Sequence, residues 1–116
     1  MQFGHIEIFV KDPLASMAFY NEVLGFEVTD VQHEHFVWMQ SGGTTILLRP
    51  GTTASEVATY QNAPSGFVIY TSELDDMADR LRTRGLIFRG TDGSDRCLTF
   101  TDPDGHWFQL VDPNEH

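Results

Sequence analysis

At 116 residues the chain fits one domain with a core of moderate size, and its 41% hydrophobic and 21% charged residues are those of an ordinary globular protein. A net charge of -10 excludes the basic footprint of a nucleic-acid binder. No apolar run approaches the roughly 18 residues of a membrane span, no basic-then-apolar leader opens the chain, and a lone Cys97 rules out an internal disulfide, so a cytoplasmic protein away from membranes is expected.

The first predicted strand is 3–10, where alternation puts Ile6, Ile8 and Val10 on one face and His5, Glu7 and Phe9 on the other. Asp12-Pro13 then opens a helix as N-cap and first helical residue; Leu14, Met17, Ala18, Val23 and Leu24 supply its stripe, and Gly25 ends it. Strands are expected over 26–31, 34–40 and 44–49, with a polar turn at His33-Glu34-His35 and another at Ser41-Gly42-Gly43. Residues 50–64, rich in Thr, Ala, Ser and Gly, read as a linker with at most a short helical turn.

The second half repeats the scheme. A strand over 66–71 leads to a helix capped by Ser72, with Leu74, Met77, Ala78 and Leu81 as its stripe and Gly85 as its stop. Strands at 86–89, 96–101 and 106–111 follow. Between the last two lies Asp102-Pro103-Asp104-Gly105, whose residue types are those a tight turn demands. Cys97 reads as a small strand residue, since nothing local would activate its thiol.

Asp12 and Ser72 are sixty positions apart, as are Gly25 and Gly85, which marks an internal repeat. The expected architecture is α+β: two βαβββ modules forming an open, cleft-containing mixed β-barrel with helices outside. A single domain 1–116 then divides into a first module at 1–49, a linker at 50–64 and a second module at 65–116. Period-two geometry directs His5, Glu7 and Phe9, then Thr45, Leu47 and Arg49, and finally Trp107, Gln109 and Val111 toward the cavity. Glu7, if buried by barrel closure, would carry a raised pKa and serve as a proton acceptor. Arg49 would pair either an anionic ligand or Glu7. Aromatic residues Phe9, Phe36, Trp38 and Trp107 offer a stacking box or simply core. Exposed free edges point to a homodimer.

The stretches His5-Ile-Glu-Ile-Phe-Val-Lys-Asp12, Phe19-Tyr-Asn-Glu-Val-Leu-Gly-Phe26 and Phe100-Thr-Asp-Pro-Asp-Gly105 together resemble the vicinal oxygen chelate superfamily of glyoxalases, extradiol dioxygenases, fosfomycin-resistance enzymes and bleomycin-resistance binders. The resemblance covers essentially the whole chain. It implies paired βαβββ modules, a ligand cavity and, very often, a homodimer. In metal-dependent members it implies ligands on the first, fourth, fifth and eighth strands. Here those positions fall on His5, Leu47, Gly66 or Phe67, and Gln109.

One imidazole and one neutral amide are a poor donor set for a divalent cation. The expectation is therefore a metal-free small-molecule binder, holding an organic ligand in an aromatic, acidic cleft lined by His5, Glu7, Phe9, Leu47, Arg49, Phe67, Trp107 and Gln109, with no cofactor. The alternative is a glyoxalase- or dioxygenase-like enzyme, with a divalent metal on His5 and non-standard partners, or metal-free acid–base catalysis by Glu7 and His5. A third reading is an interaction module whose cavity is filled by its own side chains.

Overall fold

Asp12 sets the geometry of the first unit. Its carboxylate accepts from the backbone N–H groups of Leu14 and Ala15 at 3.1 and 3.2 Å, and Pro13 follows at the first helical position. Such a cap is worth about 1 kcal/mol. Helix α1 (Pro13–Ala18) then widens into a π-helical turn, Phe19–Val23, and Gly25 leaves it at φ +78°. The computed structural model describes residues 1–52 and 56–115, so part of the predicted linker, 53–55, lies outside the described residues. It divides into two units, Met1–Ala54 and Ser55–His116.

In the first unit β1 (Ile6–Val10), β2 (Glu27–Gln32), β3 (Phe36–Ser41) and β4 (Thr44–Pro50) form a sheet in the order β1-β4-β3-β2. β1 runs parallel to β4, with Ile8 opposite Leu48 and Glu7 opposite Leu47. The face holding Ile8, Val10, Val37, Met39, Ile46 and Leu48 is buried, and α1 packs on β3 and β4. His33 and Glu34 make the β2–β3 turn at φ +54° and +61°, closed by His35 N–H donating to the Gln32 carbonyl at 3.1 Å.

The second unit holds β5 (Phe67–Tyr70), helix α2 (Leu74–Thr83), β6 (Leu98–Thr101) and β7 (Trp107–Val111), in a sheet ordered β5-β7-β6. Phe100 stacks on Phe108 at 5.3 Å, Phe67 sits 5.2 Å from Phe108, and these rings with Leu110 and the helix residues Leu74, Ala78 and Leu81 make the core. The Asp102 turn forms as its residue types require: one carboxylate oxygen accepts from the N–H groups of Asp104 and His106 at 3.0 and 2.8 Å.

Two sequence expectations fail here. Ser72 does not cap α2. Glu73 takes the cap position, one residue later than predicted, without a side-chain bond, and the Thr71 hydroxyl accepts the Glu73 N–H at 3.2 Å. Residues 86–89 form no strand. What remains of the pairing with β6 is Arg89 N–H donating to Thr99 O at 2.6 Å, Thr99 N–H donating to Gly90 O at 3.1 Å and a bridge at Thr91–Leu98, and Gly90 and Gly93 turn the chain at φ +90° and +77°. The second sheet is thus three-stranded.

Candidate functional site

The face of the first sheet opposite α1 carries a charged and aromatic patch. Pleating places His5, Glu7 and Phe9 beside Leu47 and Arg49 of β4, and these beside Phe36 and Trp38 of β3. Glu7 is shared: Oε2 lies 2.7 Å from His5 Nε2, and Oε1 accepts from Arg49 Nη1 at 3.0 Å. These two bonds, His5's first, hold the Glu7 carboxyl below the usual glutamate range. Within its unit the side chain keeps about a third of its exposure, so the burial on which a raised value depends is not met there, and the bonds to His5 and Arg49 outweigh desolvation. Of the two roles open to Arg49, the structure shows the internal one. Its guanidinium also lies 5.1 Å from the Phe9 ring centroid and 5.8 Å from that of Phe36. Trp38, whose facing the sequence leaves undecided, meets His5 edge-on at 5.0 Å and donates from Nε1 to Gln32 at 3.2 Å. Leu47 is buried as the floor.

In the second unit the equivalent face bears Val68, Tyr70, Trp107, Gln109 and Val111. Gln109 Nε2 donates to Asp92 Oδ2 at 3.1 Å, and the other Asp92 oxygen accepts from Gln61 Nε2 at 3.0 Å. Trp107 is only 2% exposed. Its indole N–H donates to the Val57 carbonyl at 3.1 Å, Tyr60 meets it edge-on at 6.5 Å, and the Arg89 guanidinium covers it at 4.8 Å. Residues 56–61, read from sequence as linker, therefore form a strap over this indole. Glu56 fastens the strap to Arg89, which also donates to Thr101.

Of the eight expected lining residues, His5, Glu7, Phe9, Leu47 and Arg49 come together in the first unit. Trp107 and Gln109 share a face in the second. Phe67 does not join them: it pairs with Phe108 on the core side, so the one-residue ambiguity resolves to the parity of Gly66. A Cβ on Gly66 would lie 2.7 Å from Tyr60 Cζ, so the Tyr60 phenol occupies the room a side chain there would need. Sequence reasoning missed Asp92 and Tyr60. Asp92 sits in an aperiodic polar loop with no signal; Tyr60 had one, an aromatic in an otherwise small-residue stretch.

This fold and these faces place the chain in a known class. A family model for the Glyoxalase/Bleomycin resistance protein/Dioxygenase superfamily matches residues 2–110, and the chain belongs to that family. Among solved structures it is similar to lactoylglutathione lyase from Agrobacterium tumefaciens (17% identity, TM-score 0.74, 98% of this chain and 95% of that one). It is similar also to the fosfomycin resistance protein FosX from Listeria monocytogenes complexed with Mn(II) and sulfate (19%, 0.76, 96% and 89%). A third is TnmS3, an antibiotic binding protein from Streptomyces sp. CB03234 (24%, 0.69, 97% and 98%). A search of curated proteins gave no match.

The donors do not fit the divalent ion that the family implies. The corresponding positions supply an imidazole already engaged by Glu7, the isobutyl group of Leu47, no side chain at Gly66, and the carboxamide of Gln109 bound to Asp92. Among the described residues no group of three or more His, Cys, Asp or Glu is placed to hold a metal. No described helix is long and apolar enough to cross a membrane.

Proposed function

We propose that this protein is a metal-free binder of a small organic molecule, working as a homodimer in the cytoplasm. The observation that carries the reading is Gln109: its amide is tied to Asp92 at the position where metal-dependent members of the family carry a glutamate. His5, Glu7, Phe9, Leu47 and Arg49 offer a ligand an aromatic surface with an internally paired charge cluster. Glu7 as a general base is disfavoured by its lowered pKa, which weakens its affinity for a proton. β1 and β5 each stand at the end of their sheet's strand order, and such terminal strands support assembly with a second copy. The test is elemental analysis for Zn, Ni, Mn and Fe on protein purified without chelators, paired with light scattering for mass. Substoichiometric metal and a dimeric mass are expected. One metal per chain that disappears in His5→Ala would overturn the reading.

A further inference from the structure

The open face of the second sheet contains a cavity of about 400 Å³, walled by Val68, Tyr70 and Val111 and floored by Asp92 and Gln109. We infer that this cavity holds the ammonium end of an apolar organic cation; the inference rests on the small-molecule-binding reading and specifies its ligand.

Gln109 supplies the first argument. A carboxylate only accepts hydrogen bonds, so the contact with Asp92 turns the amide nitrogen toward Asp92 and leaves the Gln109 carbonyl oxygen as the group offered to a ligand. Among the described residues no donor bonds that oxygen. A ligand entering the cavity can therefore donate an N–H or O–H to it.

Charge supplies the second. Asp92 is the single charged residue among those lining the cavity, its side-chain bonds come from two neutral amides, Gln61 and Gln109, and among the described residues no cation is paired to it. Burial, and then the charge of nearby Asp92, push the Cys97 thiol pKa up. A half-buried carboxylate in this position favours a positive guest.

The walls supply the third. Tyr70 is 70% exposed and Val68 50%, large apolar surface beside a carboxylate. An aromatic face next to an anion attracts organic cations through the ring quadrupole and through apolar contact.

The experiment is titration of the full chain with benzylammonium and, separately, with benzyl alcohol, its neutral counterpart of similar shape, read from the NMR side-chain resonances of Gln109 and Tyr70. Benzylammonium is expected to bind about tenfold tighter and to shift both residues. Asp92→Asn should erase the preference, and Tyr70→Ala should weaken the cation. Equal affinity of the two probes for the unmodified protein, or a preference that survives Asp92→Asn, overturns the proposal. So does binding that moves only His5 and Trp38, an outcome that would leave the general binding function standing. Conversely, stoichiometric metal on His5 would remove that function without changing the preference measured here.

Discussion

His5 Nε2 stands 2.7 Å from Glu7 Oε2, and this contact is the first cause of the lowered Glu7 pKa, with Arg49 the second. A carboxyl whose pKa is depressed by folding stabilises the native state fully above its ordinary value of 4.5 and loses that contribution as pH falls through the lower native value. Glu7→Gln should therefore be less stable than the parent near neutrality, and the gap should close below pH 4.5. Urea midpoints across that acidic range provide the check; a gap independent of pH would show that the pair does not act through ionisation.

Tyr60 and Gly66 compete for one volume. Gly66→Ala should displace the Tyr60 ring from Trp107 and destabilise the second unit, whereas the same substitution in a Tyr60→Ala background should cost much less. A coupling of about 1 kcal/mol or more in this double-mutant cycle is expected. Additive costs would mean that the strap does not hold its position over the sheet.

The His33-Glu34 turn forces two residues with β-carbons into left-handed backbone, at about 1–2 kcal/mol each. Replacing them by Asn-Gly, the pair such hairpins favour, should raise the stability of the first unit by about 1 kcal/mol, measured by thermal or urea unfolding.

Gln109→Glu should not simply restore a metal enzyme. It removes the amide donor and sets a second carboxylate beside Asp92, so the variant should lose roughly 1–3 kcal/mol near neutrality and recover part of it on acidification as the pair takes up a proton. Urea unfolding at two pH values measures both effects.

What was legible in the sequence follows from how local each signal is. Asp12-Pro13, Gly25, Gly85 and the Asp102 turn encode their structure within a few residues, and each forms as read. The alternation of β1 gathered His5, Glu7 and Phe9 correctly because strand pleating has no other solution. Register was harder: Phe67 and Gly66 differ by one residue, and only pairing with β7 decides which faces the core. The α2 cap slipped by one residue, from Ser72 to Glu73, whose side chain makes no cap bond, so the local capping signal did not fix the helix start. Asp92 and Tyr60 were out of reach because loops bring them to Gln109 and Gly66 with no periodicity to follow.

The two indoles are partitioned, one to each unit. Trp38 lies against the imidazole of His5, and Trp107 is sealed beneath Arg89 and the Val57 carbonyl. Emission from the buried Trp107 belongs at the blue edge of the spectrum, and that from the half-exposed Trp38 further to the red. Single Trp→Phe replacements thus turn the protein into its own pair of optical gauges, able to report the melting of either half independently of the other.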